Sequence, residues 1–456
     1  MLPTSVYSSL TCSVQNELAK APRGAFWSRC WIFSISTLIV LASITPTAVT
    51  AAQANLHREH WIGTWATAPQ SAMPGSIDIF QNQTLRLIVH TSAGGKKVRI
   101  KISNTYGDQP LQIGGTHIAR RTVGAEIDSA SDRKLLFQGE ASISVPVHSQ
   151  VLSDPVEVEA PALSDLAISL FLPTATKATT SHILALQTSY VSTTGDFTQA
   201  VKFPVEKTID SWPFLTGVDV VASPNGATIV ALGSSLTDGD GSTMDANHRW
   251  PDALAERLQK AEGTKSRLGV LNLGIIGNRL LHGSPQVPAS PFGAALGESG
   301  LARFERDVLS QPGVKYVFVC LGINDILFPA FTFTPAGEKV SAKDIIAGYR
   351  QLIARAHKKG LRIIGTTIPP FENAFFKKPR AEFYTPEREA VRQEVNTWIS
   401  QTGAFDAVVD FEAPVRDPAH PTRIRTDYDS GDHLHVNDAG YIATGNAVPL
   451  SLFERH

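Results

Sequence analysis

The pattern of hydrophobic and polar positions changes close to residue 226. Before that point, stretches such as 85–90 and 97–102 alternate apolar and polar residues, and turn residues separate them. A period of two is typical of strands that bury one face. Residues 92–95, between these two strands, include two glycines and predict a hairpin. Further strands are predicted at 112–118, 141–145, 156–159 and 166–172.

These short strands favour an all-β domain of the jelly-roll or sandwich-like kind. The pattern places that domain at residues 57–215. Residues 210–224 are predicted to connect it to the next domain.

After residue 226, strand-like and helix-like stretches alternate along the chain. Strands are predicted at 227–232, 268–273, 316–321, 362–367 and 407–410. Helices are predicted at 251–262, 301–309, 342–358, 386–401 and 438–453. This alternation predicts an α/β domain at residues 224–456, with a parallel sheet covered by helices. Ligands of such sheets bind beyond the carboxyl ends of the strands.

Composition and charge limit the partners and the location that we expect for the protein. The 41 basic and 42 acidic residues nearly balance, so we expect no nucleic-acid partner. Basic residues precede the uncharged run 31–42, and small residues follow it at 52–54. This order predicts a secretory signal within residues 1–54 and a secreted or periplasmic protein without stable membrane association. An uncleaved N-terminal anchor is the alternative.

The cysteines limit redox and metal chemistry. Cys12 and Cys30 precede the predicted cleavage site, so the mature chain keeps only Cys320. A single thiol excludes an internal disulfide and a zinc site built on cysteines. Cys320 is predicted to be a small apolar core residue.

Groups suited to acyl transfer follow the predicted strands. Such chemistry needs a nucleophile, a base, a group that orients the base, and donors for the oxyanion. Ser235 can supply the hydroxyl, His435 can take its proton, and Asp432 can orient the imidazole. The backbone N–H groups of Ser235 and Gly277 and the side-chain amide of Asn324 can bind the oxyanion.

The sequence resembles the SGNH hydrolase superfamily, the GDSL-type esterases and lipases. The resemblance rests on the order along the chain, and the position after predicted strands or before a predicted helix, of the motifs around Ser235, Gly277, Asn324 and Asp432-x-x-His435. The resemblance covers about 227–453 and implies a flavodoxin-like three-layer α/β/α domain. It implies Ser235, Asp432 and His435 as a catalytic triad. It also implies an oxyanion hole of Ser235, Gly277 and Asn324, and no metal or cofactor.

A second resemblance concerns the β region. Stretches 60–65 and 103–107 are similar to the N-terminal β-domain of a secreted bacterial arylesterase/acylhydrolase subgroup of this superfamily. It implies a small-molecule or polysaccharide ester as substrate, with short-chain acyl groups on plant polysaccharides favoured. A lipase or lysophospholipase is the rival enzyme, and the residues that bind substrate are not identified by the sequence.

Ser234 departs from the superfamily pattern, which usually has Asp before the nucleophile. This departure leaves a carbohydrate-binding pseudoenzyme as an alternative, although the other motif residues are intact. Two further alternatives stay open within the motifs. Asn324 can instead cap a helix, and His433 is a second histidine beside His435.

Overall fold

The structure is a computed structural model. It describes residues 59–261, 267–285, 287–288, 290–375 and 383–454. These residues all belong to one compact unit, His57–His456. The predicted signal or anchor at 1–54 lies outside the described residues. Within the described ranges, none of the helices combines the length and the apolar character needed to cross a bilayer.

The first part of the unit is all β. Its strands are β1 (Trp61–Ala66), β2 (Gln70–Ser71), β3 (Ile79–Phe80), β4 (Gln83–His90), β5 (Gly95–Ser103), β6 (Leu111–Ile113), β7 (Gly115–Arg120), β8 (Arg133–Lys134), β9 (Ile143–Val145), β10 (Gln150–Leu152), β11 (Val156–Ala160), β12 (Asp165–Leu172), β13 (Thr176–Lys177), β14 (Thr180–His182), β15 (Ser189–Thr194), β16 (Val205–Ile209), β17 (Trp212–Pro213) and β18 (Leu215–Val221).

Two larger antiparallel sheets of these strands form a β-sandwich. One has the order β1-β18-β5-β10, with β11 also paired to β5, and the other has the order β16-β15-β4-β12-β7-β8. Their inner faces share one hydrophobic core, to which Leu87 of β4, Ile100 of β5 and Ile168 of β12 contribute. The predicted all-β class is confirmed. The stretch predicted as one strand at 112–118 is divided between β6 and β7.

Two predictions about the β region are wrong, one on strand pairing and one on the segment that follows it. β4 and β5 do not form a hairpin, because β4 pairs with β12 and β15 whereas β5 pairs with β10, β11 and β18. Residues 92–95 instead carry the chain from one sheet to the other. Residues 210–224 contain β18, which lies between β1 and β5, rather than a plain connection. Turn residues signal a change of direction, but burial of the strand faces selects the partners.

The second part of the unit is an α/β domain. Its strands are β19 (Ala227–Gly233), β20 (Leu268–Gly274), β21 (Val314–Cys320), β22 (Arg362–Thr366) and β23 (Ala407–Val409). They form a parallel sheet in the order β20-β19-β21-β22-β23. Its helices are α1 (Ser235–Asp238), α2 (Trp250–Lys260), α3 (Gly300–Phe304), α4 (Ile323–Leu327), α5 (Ala342–Lys358), α6 (Pro386–Gln401) and α7 (Asp438–Asn446).

Helices cover both faces of the parallel sheet. On one face, Val230 of β19 packs in a core with Leu352 of α5 and Val395 of α6. On the other face, Ile229 of β19 belongs to a separate core with residues of α2 and α7. Successive strand residues therefore point into opposite layers. The predicted three-layer α/β/α architecture is confirmed.

The β-sandwich adjoins the β20 edge of the parallel sheet through close backbone contacts. The N–H of Gly63 on β1 donates to the Thr228 hydroxyl at 3.0 Å. The N–H of Val270 on β20 donates to the Ser92 hydroxyl at 2.9 Å. A Cβ on Gly269 would lie 2.0 Å from the Gly63 carbonyl oxygen, so only glycine allows this approach.

Candidate active site

Ser235 lies on a tight turn where β19 passes into α1. The strand ends at Gly233, and Ser235 is the first residue of the four-residue helix. A Cβ on Gly233 would lie 2.0 Å from the Thr237 hydroxyl oxygen, which explains the glycine there. The Asn272 amide, on β20, donates to the Thr237 carbonyl at 2.6 Å. The turn is thereby held against the neighbouring strand, at the carboxyl end of the sheet.

The structure brings Ser235, His435 and Asp432 together. His435 Nε2 lies 2.8 Å from Ser235 Oγ, and His435 Nδ1 lies 2.6 Å from Asp432 Oδ2. The other carboxylate oxygen, Oδ1, accepts from the N–H groups of Leu434 at 2.9 Å and His435 at 2.8 Å. Asp432 is therefore fixed by its own loop, and it fixes the imidazole with Nε2 towards Ser235. Asn437 caps α7 directly after this loop.

His433 occupies a different environment in the same loop. Its Nδ1 contacts the carboxylate of Asp429, four residues earlier. Its backbone has a φ of 62°, which turns it away from the path of its neighbours. The geometry pairs Asp432 with His435 and leaves His433 with Asp429.

The charges around His435 favour its protonated form. Burial lowers the pKa of His435, but the hydrogen bond to Asp432 and the charges of Asp240 and Asp432 raise that pKa above its ordinary value on balance. Burial raises the pKa of Asp432, whereas hydrogen bonds and charge from His435 lower it well below its usual range. Asp240 Oδ2 lies 3.7 Å from His435 Nε2, so a second carboxylate faces the ring. The sequence prediction did not include Asp240.

Gly277 follows β20 and Asn324 follows β21, the two strands that flank β19 in the sheet. Gly277 has a φ of 68°, in the left-handed region that favours glycine. The Asn324 amide donates to the carbonyl of Asn278 at 3.0 Å. In the described part of the chain, the N–H groups of Ser235 and Gly277 donate to no backbone acceptor. Asn324 lies inside α4, whose N-cap residue is Gly322, so the capping alternative is wrong.

Two buried charged residues that the sequence prediction did not assign to the site hold these loops together. Asp325 accepts from the N–H groups of Leu280 at 2.7 Å and Leu281 at 2.9 Å, and burial raises its pKa to about 6. Arg303, on α3, donates to the carbonyl of Gly233 at 2.8 Å. No sequence motif singles out either residue for this role.

The hydroxyl of Ser234, which departs from the superfamily pattern, is fully buried. It makes no hydrogen bond within the described residues. Cys320, at the end of β21, is partly buried against the core that contains Ile229, and burial raises the pKa of its thiol to about 12. In the described ranges, no group of three or more His, Cys, Asp or Glu side chains is arranged to hold a metal ion.

A buried serine with this histidine and aspartate, at the carboxyl end of a parallel sheet, has the architecture of a serine-dependent hydrolase. Residues 229–448 match the family model of the GDSL-like lipases/acylhydrolases. This domain of the chain belongs to that family, and the protein is a carboxylic ester hydrolase. The superfamily expected from the sequence is confirmed.

Several solved structures are similar to this chain. An aryl esterase of M. smegmatis has 18% identity over 49% of this chain and 96% of its own, with a TM-score of 0.37. A GDSL-like lipase from Bacteroides thetaiotaomicron VPI-5482 has 15% identity over 48% of this chain and 84% of its own, with a TM-score of 0.33. An acetyl xylan esterase has 18% identity over 48% and 96%, with a TM-score of 0.34. The curated proteins include no match.

Proposed function

We propose that the protein cleaves esters through an acyl-enzyme intermediate on Ser235. The observation that carries this proposal is the 2.8 Å contact between Ser235 Oγ and His435 Nε2. His435 takes the hydroxyl proton as Oγ attacks the acyl carbon, and Asp432 holds the imidazole in the required tautomer. His435 then donates the proton to the leaving alcohol. Water attacks the acyl-enzyme with His435 again acting as base.

In the proposed mechanism, three donors stabilise the negative oxygen of each tetrahedral intermediate. These are the backbone N–H groups of Ser235 and Gly277 and the side-chain amide of Asn324. Asn324 already donates one hydrogen to Asn278, which orients its second hydrogen. Donors fixed before the reaction stabilise the developing charge without reorganisation in the transition state.

A covalent serine-hydrolase probe tests the nucleophile. We expect a fluorophosphonate to label the wild type and the Ser234→Ala variant, because the Ser234 hydroxyl makes no hydrogen bond in the described part of the chain. The Ser235→Ala variant is expected to remain unlabelled. Labelling of Ser235→Ala at the wild-type rate would contradict the proposal.

For the substrate, we propose short-chain acyl groups on plant polysaccharides or related small esters. The support is the resemblance of stretches 60–65 and 103–107 to the β-domain of the secreted arylesterase/acylhydrolase subgroup. An extracellular substrate agrees with the signal predicted at 1–54, which lies outside the described residues. The carbohydrate-binding alternative requires the Ser235 and His435 pair to be inactive.

A row of phenylalanine rings favours a second candidate, esters with a longer apolar acyl chain. Phe375 has its ring centroid 6.3 Å from that of His435. From Phe375 the row continues through Phe383, Phe331 and Phe333 to Phe292, with centroid separations of 5.0, 4.8, 4.9 and 5.8 Å. Phe292, Phe331, Phe333 and Phe375 are each partly exposed. An apolar chain bound along these rings would be removed from water.

A chain-length series distinguishes the two candidates. The short-chain proposal predicts that kcat/KM for p-nitrophenyl esters falls from acetate to octanoate. It also predicts release of acetate from acetylated xylan. The second candidate predicts the reverse order, and a loss of octanoate hydrolysis in Phe331→Ala with acetate hydrolysis unchanged. Phe197→Ala is the matched control, because Phe197 is a partly exposed phenylalanine of the β-sandwich.

A further inference from the structure

A second histidine–aspartate pair joins the β-sandwich to the helix that carries Ser235. His182, the last residue of β14, is 1% exposed, and Asp238, the last residue of α1, is 3% exposed. His182 Nε2 lies 2.8 Å from Asp238 Oδ1, and its Nδ1 lies 3.0 Å from the carbonyl oxygen of Ala68. Both ring nitrogens therefore have a partner.

The hydrogen-bond partners of His182 determine where the hydrogens of this pair lie. A carbonyl oxygen only accepts, so Nδ1 of His182 must carry a hydrogen and donate it to Ala68. One further proton then lies between Nε2 and the Asp238 carboxylate. The imidazole has no freedom to turn without losing a buried hydrogen bond, and a buried donor or acceptor left without a partner is costly. His182 is therefore held rigidly by the β-sandwich.

Asp238 connects this fixed point to both parts of the proposed site. It lies on the same short helix as Ser235, and its second oxygen accepts from the N–H of Ile276 at 3.0 Å. Ile276 directly precedes Gly277. One carboxylate thus links the nucleophile turn and the glycine loop to His182.

Because α1 is short, its position depends on contacts such as this link. A helix of four residues has no stability of its own, because nucleation fixes several residues for few hydrogen bonds. The position of Ser235 must then be imposed by tertiary contacts. The His182 and Asp238 pair is such a contact, and it originates outside the α/β domain.

We propose that His182 is a positioning residue of the ester hydrolase, and that the β-sandwich thereby contributes to the active site. Through Asp238, His182 sets the position of Ser235 Oγ relative to the N–H group of Gly277. The inference rests on the proposed function, in which these groups are the nucleophile and the oxyanion donors. Substrate binding is not assigned to His182.

The test measures kcat and KM of His182→Phe on p-nitrophenyl acetate. Phenylalanine keeps the ring that lies 5.7 Å from that of Trp212 but removes both nitrogens. We expect kcat to fall about 10- to 100-fold with KM changed less than about threefold, since small displacements of reacting groups affect the chemical step. His182→Gln restores a donor to Asp238, and we expect it to recover most of kcat. An unchanged kcat in His182→Phe would overturn the inference.

A double-mutant cycle with Asp238→Ala tests whether the two residues act as one unit. If they do, the double variant loses little more kcat than Asp238→Ala alone, because that change already removes the link to His182. Additive losses would overturn the inference. Thermal unfolding of each variant, with fluorophosphonate labelling of Ser235, shows whether the protein is folded.

The chain offers a matched control in His117, which pairs with Asp132 at 3.0 Å and is 5% exposed. This pair lies within the β-sandwich, between β7 and the residue before β8. His117→Phe is expected to lower the melting temperature as His182→Phe does, but to keep kcat within about twofold. Equal losses of kcat in both would indicate a purely structural role for His182 and overturn the inference.

Failure of the proposed function gives a different result. The same assay on Ser235→Ala must show loss of activity if Ser235 is the nucleophile. Activity that persists in Ser235→Ala overturns the proposed function and the inference with it. Loss in Ser235→Ala with no change in His182→Phe overturns the inference alone.

Discussion

The two sides of helix α1 differ in how far their histidine–aspartate pairs are exposed to solvent. On the open side, Ser235 faces His435 and Asp432, and the side chain of Asp432 is 33% exposed. On the closed side, Asp238 faces His182, and both side chains are almost completely buried. The open pair comes from one loop, three residues apart, whereas the closed pair joins two regions of the chain.

This difference in solvent exposure indicates which pair takes part in the chemistry and which pair holds the backbone in place. A group that gains and loses a proton in each turnover must be able to change its charge, which a partly solvated carboxylate partner allows. A pair without solvent exposure is better suited to hold backbone in place, because any loss of a partner leaves a buried polar group unsatisfied. The open side is thus expected to control rate and pH dependence. The closed side is expected to control position.

The largest effect is expected on the open side, at His435. His435→Ala removes the proposed base, so kcat on a short-chain ester is expected to fall by about 10⁴-fold or more. Asp432→Asn is expected to lose less, because the imidazole keeps its place but takes the wrong tautomer. Steady-state kinetics on p-nitrophenyl acetate measure both losses.

His433→Ala is the matched control for this prediction. It removes a histidine from the same loop that contacts Asp429 and not Asp432. Its kcat is expected to fall by about tenfold or less, as for a residue outside the catalytic unit. If His433→Ala is the inactive variant and His435→Ala is active, the assignment of the base is wrong.

The next largest effect is expected from the loss of Asn324. Asn324→Ala removes one proposed oxyanion donor, so we expect kcat to fall by about 10²- to 10³-fold. The bond to Asn278 is also lost, so thermal unfolding must be measured beside kcat. A loss of tenfold or less in a stable variant would leave Asn324 with a structural role only.

The elements of the α/β domain could be predicted closely because their signals are local. Helix α5 begins and ends at the predicted residues, and its N-cap Ser341 accepts from the N–H of Asp344. Helix α6 likewise begins after Thr385 with a proline in its first turn. The predicted helix 438–453 was too long, because α7 ends at Asn446 and a 3-10 turn at Leu450–Phe453 follows Pro449.

Long-range contacts could not be predicted in the same way. The hydrophobic alternation located β4 and β5, but it does not specify that they belong to different sheets. The residues of the open side stood out because their types and order match a known pattern of acyl transfer. His182 had no such signal, since it lies in the β region and meets Asp238 only when the two regions fold together.

A smaller effect is expected from Asp240, whose carboxylate faces His435. This charge contributes to raising the pKa of His435, so Asp240→Asn is expected to lower that pKa. His435 must be neutral to act as base, so activity rises as pH increases through its pKa. The acid limb of kcat/KM is therefore expected to move to lower pH in Asp240→Asn, by about one unit or less.

The pH profile of kcat/KM on p-nitrophenyl acetate, for wild type and Asp240→Asn, measures this shift. In the wild type, the limb is expected above the ordinary histidine value of about 6.5. Ser242→Ala is the control, because it changes a half-buried serine two residues from Asp240 without changing the charge. A limb that stays in place or moves to higher pH would show that Asp240 does not act on His435 by its charge.

The smallest effect is expected at Ser234, a buried hydroxyl without a hydrogen bond in the described part of the chain. Ser234→Ala removes a polar group that has no partner, so we expect the free energy of unfolding to change by less than about 0.5 kcal/mol. Thr228, on the preceding strand β19, provides the contrast, because its hydroxyl accepts from Gly63 at 3.0 Å and donates to Pro312 at 2.6 Å. Thr228→Val keeps the shape but leaves both partners unsatisfied, which costs about 1–3 kcal/mol. Chemical denaturation of the two variants checks this difference, and a larger loss in Ser234→Ala than in Thr228→Val would show that the Ser234 hydroxyl has a partner in solution.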